Sequence, residues 1–498
     1  MNIINKDKLK TESVYFTIIP IAKKTIGFLL IPIIANSLGA EKYGVFGYLI
    51  VLSGLTASAM EMGLSAGLVR FFFETKHKDR FVYQIYVLIF GFLIAITFII
   101  LISKLILIHF NIELVIMQYV WFILLMGSLT VFSKTSEQIF ILNQKAKFYL
   151  LYSIIYIILL FTLTLILIHY FNNKINAPLI SYPISLLIFL VICFLYILKR
   201  YRFPKIKDLI HTIKNSKFIL LFSIPLFFHT AIQWVLSSSD RVILERFISL
   251  SDLGIYNFAY SVGILVLFLF QGVNKAWSPF AIEKGLNRSK SDLLQLNKSA
   301  HILMIVNYCI FSTVIFLGPI AVNLVMREEY LACIPIIPYI ALGGFFLNFY
   351  TIPTTGVSVM KKTKYIPLVT LVAGFTSISL NLILVPKFGI YAAAVVTTIS
   401  YFILLLLYII FDIKIKSNLF KYKSLLKYFV FSIITTGICL VILNSAIYDN
   451  MFLIIACYFM NMLLCWFVLI NRKERNFFMN LLVEIIKHIS FKKSKTKK

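Results

Sequence analysis

Charged residues are scarce in this sequence of 498 amino acids, and acidic residues are the scarcest of them. Asp and Glu number 20 against 48 Lys and Arg, and the four types together make up only 14% of the chain. Hydrophobic residues account for 60%, and the mean hydropathy is +0.92. Soluble globular proteins contain about 25% charged residues. The composition therefore excludes a soluble globular domain and indicates a membrane protein.

The sequence also lacks the patterns that carry catalysis. It has no glycine loop followed by lysine for binding ATP, no His and Glu spacing of a metal centre, and no nucleophile paired with a base. Six cysteines lie in or beside apolar segments: Cys193, Cys309, Cys333, Cys439, Cys457 and Cys465. Their spacing fits neither a zinc site nor a disulfide framework. We predict a protein that is not an enzyme and uses no metal or cofactor.

Apolar stretches dominate what is present. About fourteen of them approach the roughly 20 residues that cross a bilayer as a helix. The predicted fold class is therefore an all-α polytopic membrane protein with about 14 transmembrane helices. The connections are short, which argues against membrane polymerases, ligases and glycosyltransferases, because those enzymes generally carry larger external loops or domains.

Basic residues fall on one side of this layout. With the connecting segments assigned alternately to two sides, one side holds 39 Lys and Arg and the other holds 7. The positive-inside rule places the rich side in the cytoplasm. We predict a multi-pass protein of the bacterial inner (plasma) membrane with both termini cytoplasmic. The net charge of +28 then reflects topology and attraction to anionic lipids, and no nucleic-acid partner is expected.

A weak internal repeat relates the two halves of the chain. Leu38–Tyr48 (LGAEKYGVFGY) aligns with Ile248–Phe258 (ISLSDLGIYNF), which places Gly44 over Gly254. Six predicted helices separate the copies, and an even number preserves orientation, so the repeats are parallel about an axis along the membrane normal. The predicted organisation is two lobes of six helices, 1–210 and 211–415, followed by helices 13 and 14 and a basic cytoplasmic tail in 416–498.

Several of these segments resemble a known family. The motifs are LGAEKYGVFGYLIVLSG, EMGLSAGLVRFF, DRVILERFISLSDLGIYNFAYSVG, AWSPF and LNLILVPKFGIYAAAVVTTISY. They are similar to the polysaccharide-transporter branch of the multidrug/oligosaccharidyl-lipid/polysaccharide flippases, and most similar to the O-antigen and capsule repeat-unit flippases of the Wzx type. The resemblance implies alternating-access transport of an undecaprenyl-diphosphate-linked oligosaccharide from the inner to the outer leaflet. It also implies a cationic cavity between two lobes.

Three basic residues are candidates for that cavity. Lys23 and Lys24 lie about ten residues into the first span, which at ~1.5 Å per residue is near the bilayer midplane. Charges at that depth are functional candidates by default, and lysine binds phosphate as a point charge. Upstream, the repeat aligns IPIAKKT with IPLFFHT at an offset of 205, because a five-residue insertion separates this match from the one at Gly44. This match places Lys24 over His229 of helix 7, so each lobe would contribute one group. Alternatively, the two lysines anchor a helix that begins later, and His229 bonds a neighbour or acts as a proton-linked switch.

Other charged residues have predicted roles around the spans. Arg70 and Lys275 lie at cytoplasmic helix ends, where they would bind the diphosphate first or simply anchor the topology. Glu61 would form an ion pair with Lys23 or Lys24, carry a coupling proton or cation, or hold its helix against neighbours. Asp240 and Arg241 follow helix 7 on the outer side and are predicted to form a local network or an external gate.

Two alternatives to a flippase remain at this point. A drug/cation antiporter of the same superfamily would need acidic cavity groups, whereas lysines outnumber Glu61 here. A membrane glycan polymerase or ligase conflicts with the short external loops. A polysaccharide polymerase and chain-length proteins are candidate partners besides the glycolipid and the bilayer. The sequence does not choose between coupling to H⁺, coupling to Na⁺ and uncoupled transport.

Overall fold

The computed structural model describes residues 27–110, 115–205, 207, 216–362, 365–445, 450–469 and 475. Every regular element in these ranges is a helix, which confirms the predicted all-α class. The amino-terminal residues that contain Lys23 and Lys24, and most of the basic tail, lie outside the described residues.

The first half of the chain contains seven α-helices and a short 3₁₀ turn among its described residues. The helices are α1 (27–38), α2 (Ala40–Glu61), α3 (Leu64–Phe71), α4 (Lys78–His109), α5 (Val120–Leu142), α6 (Ala146–Tyr170) and α7 (Asn176–Arg200). The 3₁₀ turn, Val115–Tyr119, leads into α5. Between α2 and α3 the backbone turns at Met62 and Gly63, both with positive φ, so this pair forms one broken span.

The second half continues with longer helices. They are α8 (Lys217–Phe247), α9 (Leu250–Gly263), α10 (Leu265–Asn287), α11 (Lys290–Val325), α12 (Ile337–Phe349), α13 (Thr351–Val359), α14 (Ile366–Lys414), α15 (Tyr422–Leu443) and α16 (Met451–Val468). A 3₁₀ segment, Glu328–Ile336, joins α11 to α12. Gly389, with φ 57° and ψ −136°, breaks α14 into two helices because only glycine adopts that backbone conformation readily.

The described helices agree with the predicted number of spans. Twelve helical segments are long and apolar enough to cross a membrane, and 27–38 is a shorter apolar helix. One of the twelve is α14, which the break at Gly389 divides into two. The prediction of about fourteen transmembrane helices is therefore confirmed.

Three helices extend further than hydropathy predicted. We expected spans to end near residues 133, 239 and 274, but α5 continues to Leu142, α8 to Phe247 and α10 to Asn287. Hydropathy registers only the apolar part of a helix, whereas backbone hydrogen bonding continues through polar residues beyond it. Lys134, Asp240 and Lys275 therefore lie on helices and not in loops.

The chain divides into two compact units. The first contains Met1–Ser261, Val325–Ile336 and Lys362–Leu407, and the second contains Val262–Leu324, Ile337–Lys361 and Tyr408–Lys498. These units interleave along the sequence. The lobe boundaries at 210 and 415 stay a prediction.

Buried amides and hydroxyls bridge helices inside the second unit. The Asn348 amide donates to the Val266 carbonyl at 3.1 Å and to Asn307 Oδ1 at 2.8 Å, which ties α12 to α10 and α11. On the other flank, Tyr308 donates to Asn461 Oδ1 at 2.7 Å and joins α11 to α16. Such interhelical bonds contribute about 0.6 kcal/mol each in membrane proteins. Asn307 and Asn348 thus act as helix bridges.

Candidate functional site

The two copies of the repeat meet at a crossing of α2 and α9 in the first unit. A Cβ atom on Gly44 would lie 2.0 Å from the carbonyl oxygen of Leu250, and one on Gly254 would lie 1.9 Å from that of Ala40. No side chain tolerates such an approach, so the crossing requires glycine at both positions. The same shift of 210 residues relates Gly44 to Gly254 and Ala40 to Leu250. The crossing is therefore symmetric with respect to the repeat.

Hydrogen bonds also join the segments that surround the amino-terminal end of α2. Asn36 at the end of α1 donates to the Val325 carbonyl at 2.8 Å and accepts from the Arg327 amide at 3.2 Å. The Glu329 carboxylate accepts from the Ala40 amide at 3.2 Å, at the amino terminus of α2 where a negative charge is favoured. We call these three hydrogen bonds of Asn36 and Glu329 the α2 latch. It lies on the lysine-poor side, which is the predicted external side.

Asp240 and Arg241 form a buried network within the first unit. Arg241 Nη1 lies 3.4 Å from Asp240 Oδ1, and its Nε donates to Asn257 Oδ1 at 3.1 Å. Tyr256 donates to the other Asp240 oxygen at 2.5 Å, and the guanidinium lies 3.7 Å from the ring centroid of Tyr260. Both charged side chains are buried. Their partners all come from α8 and α9, so the network holds these two helices together.

Asn257 connects this network to the helix crossing. A Cβ atom on Gly47 of α2 would lie 2.6 Å from Asn257 Nδ2, so the amide packs directly against the α2 backbone. Asn257 is the residue that the repeat aligns with Gly47. Arg241 therefore holds the Asn257 side chain in place between α9 and α2, the helices of the two repeat copies.

Glu61 is paired inside the membrane region of the first unit. Its carboxylate accepts from Lys134 Nζ at 2.6 Å, and the two side chains are 10% and 55% exposed, respectively. One turn further along α5, Glu137 accepts from the Tyr149 hydroxyl at 3.1 Å. A cavity of about 260 Å³ beside this pair has a mixed polar and aromatic lining: Thr130, Ser133, Lys134, Glu137 and Tyr156 are among its residues. These groups offer an ammonium, carboxylates and hydroxyls to a hydrophilic ligand.

The unequal burial of Glu61 and Lys134 predicts unequal effects of mutation. Lys134→Met leaves a mostly buried carboxylate without its partner and should lower the unfolding temperature of the purified protein clearly. Glu61→Gln leaves an ammonium that is half exposed, so its effect should be smaller. The double variant should recover much of the Lys134→Met loss, because neither charge is then unpaired. Equal losses in both single variants, with no recovery in the double variant, would contradict a structural ion pair.

The other predicted site residues are not gathered at one place. His229 lies on α8, and its Nδ1 is buried without a hydrogen bond to any residue that the structure describes. Arg70, at the end of α3, pairs with Glu74 one turn later and is half exposed. Lys275 is exposed midway along α10 in the second unit. Since Lys23 and Lys24 fall outside the described residues, the predicted cationic cavity stays a prediction.

Sequence reasoning missed Lys134 and Glu329 as site residues. The apolar run that ends at Ser133 predicts a loop at Lys134, yet the apolar residues Ile139, Phe140 and Leu142 continue the helical pattern beyond it. That continuation was the available signal. Glu329 lies in a polar connection, and no local pattern indicates that it bonds Ala40, which is 289 residues away.

A family model described as polysaccharide biosynthesis protein matches residues 9–283, which is more than half of the chain. The chain belongs to the polysaccharide biosynthesis protein family. The family membership inferred from the sequence motifs is therefore confirmed.

Curated relatives match over shorter stretches. An uncharacterized membrane protein of Methanocaldococcus jannaschii is 23% identical over 286 residues, which cover 54% of this chain and 54% of that protein. The capsular polysaccharide biosynthesis protein CapF of Staphylococcus aureus is 25% identical over 269 residues, or 52% of this chain and 65% of CapF. The chain thus spans about half the length of the first of these relatives.

Solved structures with the same fold include a flippase and a multidrug transporter. The lipid II flippase MurJ in an inward closed conformation has a TM-score of 0.66 and 18% identity, covering 91% of this chain and 99% of MurJ. An inward-facing multidrug resistance transporter of the MATE family has a TM-score of 0.59 and 12% identity, covering 79% of this chain and 95% of its own. At these identities the likeness shows a shared fold.

Proposed function

We propose that this protein is a flippase for undecaprenyl-diphosphate-linked oligosaccharide repeat units of O-antigen, capsule or a related surface polysaccharide. It moves them from the cytoplasmic to the outer leaflet of the inner membrane by alternating access. Family membership supports a role in polysaccharide biosynthesis, and the shared fold supports transport. The observation that carries the proposal is the symmetric crossing of α2 and α9 at Gly44 and Gly254.

Alternating access requires two alternative closures, one at each membrane face. The crossing and the α2 latch close the lysine-poor face of the first unit through close backbone packing, three hydrogen bonds, and contacts of the Tyr330 ring with Tyr43 and Phe258. Each of these hydrogen bonds is worth about 0.5–1.5 kcal/mol. A rigid enzyme scaffold would have no need for a closure of this kind.

Substrate binding depends on cations at membrane depth. In this proposal Lys23, Lys24 and His229 bind the diphosphate near the midplane, and Arg70 and Lys275 bind it first on the basic side. Phosphate oxygens accept hydrogen bonds strongly from lysine and arginine. The half-exposed Lys134 adds a further ammonium beside hydroxyl groups that suit a sugar chain. The lipid tail remains in the bilayer throughout.

Deleting the gene and restoring it on a plasmid tests the proposed function. We expect deletion to abolish the surface polysaccharide and to accumulate lipid-linked units that face inward, with drug resistance unchanged. Loss of resistance to cationic drugs with normal polysaccharide would instead identify an antiporter. Outward-facing units that accumulate without polymerising would identify a polymerase or ligase.

Complementation with Lys24→Ala at equal protein level addresses the cavity. Export should fall at least severalfold because one phosphate contact is lost, whereas Lys174→Ala on the lysine-poor side should restore export fully. Undiminished export by Lys24→Ala would remove that residue from the substrate site without affecting the function assigned by deletion.

A further inference from the structure

A groove lined by apolar and aromatic side chains runs along the first unit between α4 and α7, with α5 as its floor. Its volume is about 470 Å³, and its lining includes Tyr86 and Phe90 of α4, Phe132 of α5, and Val191 and Phe194 of α7. This volume falls within the ~300–1,000 Å³ range of small-molecule sites. The ring of Tyr86 stacks on that of Phe132 at 6.0 Å, so the floor is built from packed aromatic rings.

The groove opens to the surroundings of the helices. Phe90 and Leu195, which line opposite walls, are 55% and 61% exposed. At the back, the Tyr86 hydroxyl is engaged with Ser136 Oγ at 2.8 Å, so only its ring faces the groove. In a membrane-spanning region these surfaces face lipid, and only an apolar ligand gains by entering.

One end of the groove reaches the basic side of the chain. The Tyr83 hydroxyl donates to the Tyr201 carbonyl at 3.2 Å, and the Tyr83 ring contacts Phe203 at 4.9 Å. Lys199, Arg200, Arg202 and Lys205 surround these residues in the sequence, and all four are exposed. An apolar slot therefore ends at a cluster of exposed cations.

We propose that this groove binds an acyl chain of an anionic phospholipid from the inner leaflet, with its phosphate on Arg200 and Arg202. The charge of the rim selects the headgroup, since basic clusters at the cytoplasmic ends of helices attract anionic lipids. The volume of the groove fits a single acyl chain. A helix of ~10 Å diameter and 5.4 Å pitch occupies about 400 Å³ per turn, so a partner helix could place only about one turn here.

The substrate's own tail suits the groove less well. A polyprenyl chain of several tens of carbons would overfill it, whereas one phospholipid acyl chain matches its size. Moreover, a lipid bound at α4, α5 and α7 is a property of the first unit alone. The site therefore goes beyond the proposed function and does not depend on which glycan is carried.

The test uses the purified full-length protein in detergent micelles supplemented with phosphatidylglycerol or with phosphatidylcholine of the same acyl chains. Native mass spectrometry should show about tenfold more phosphatidylglycerol retained. The unfolding temperature should rise several degrees more with phosphatidylglycerol, because a ligand that binds only the folded state stabilises it. Equal retention and equal stabilisation by the two lipids would overturn the proposal.

Two pairs of variants separate the groove from its rim. Val87→Trp should fill the groove and abolish retention of phosphatidylglycerol. Leu195→Trp, at an exposed position, should do the same with less risk to folding. Ile99→Trp, elsewhere on α4, is the control. Arg200→Gln with Arg202→Gln should remove the preference for phosphatidylglycerol, and Lys174→Gln should not. Preference for phosphatidylglycerol that persists in both the tryptophan variants and the arginine variants would overturn the assignment. Displacement of phosphatidylglycerol by undecaprenyl phosphate would overturn it as well. So would a photo-crosslinker at Leu195 that captures a polypeptide.

Discussion

Replacing Gly44 by alanine is expected to reduce export at least tenfold while the amount of folded protein in the membrane stays near normal. The added Cβ would lie 2.0 Å from the Leu250 carbonyl oxygen, so α2 and α9 must move apart. Overpacking of this kind costs typically about 1–3 kcal/mol. A cost of about 2 kcal/mol shifts the balance between two conformations about thirtyfold. The closure on the lysine-poor side should therefore open.

The same helix supplies a matched control. Gly54 also lies on α2, but the nearest atom to its Cβ position is Trp234 Nε1 at 4.0 Å. Gly54→Ala should support full export, because alanine is a better helix former than glycine and its Cβ would make only an ordinary van der Waals contact. Gly254→Ala should reproduce the Gly44→Ala defect, since its Cβ would lie 1.9 Å from the Ala40 carbonyl.

A cysteine at Ala40 reports the opening directly. Ala40 is 1% exposed, so Ala40→Cys should resist a membrane-impermeant maleimide added outside the cell. Combined with Gly44→Ala it should become reactive, and combined with Gly54→Ala it should stay protected. Normal export by Gly44→Ala, or a cysteine that stays protected in that background, would show that the crossing does not open during transport.

The sequence predicted the number of helices because that number depends on a simple physical quantity, the length of the apolar runs. The orientation, inferred from where Lys and Arg fall, stays a prediction. The equivalence of Gly44 and Gly254 was visible as a repeat, but their contact was not predicted from it. These features are local patterns or periodicities, which a single sequence records.

Long-range pairing was not visible in the same way. The sequence offers Glu61 several roles, among them an ion pair with Lys23 or Lys24, and its partner among the described residues is Lys134, 73 residues further along. Which lysine meets a carboxylate depends on the rotation of α5 about its own axis and on its length, neither of which hydropathy determines. The latch between Glu329 and Ala40 likewise depends on tertiary approach.

The Asp240–Arg241 element was predicted to be a local network or a gate, and the contacts give it a specific task. Arg241 is bound on one side by Asp240 and on the other by Asn257, and Asn257 packs against Gly47 of α2. Charges buried in this way need every partner satisfied, because the interior does not solvate them. The network therefore stiffens α9 where the repeats meet.

Arg241→Ala is expected to cause the largest loss of folded protein of any substitution proposed for this chain. It leaves the buried Asp240 carboxylate without its counter-ion, a change that typically costs about 3–5 kcal/mol. The membrane level and the monodisperse fraction in fluorescence-detected size-exclusion chromatography should both fall severely. Arg246→Ala, an exposed arginine on the same helix, should leave both near normal.

Removing both charges distinguishes a structural network from a simple loss of side-chain volume. Asp240→Leu combined with Arg241→Met should regain much of the folded protein, because apolar residues of similar size replace a buried pair at little cost once neither charge is left alone. Asp240→Leu alone should be nearly as harmful as Arg241→Ala, since it strands a guanidinium among Tyr256, Tyr260 and Asn257. If either single variant accumulates normally, the pair is dispensable for packing α8 on α9.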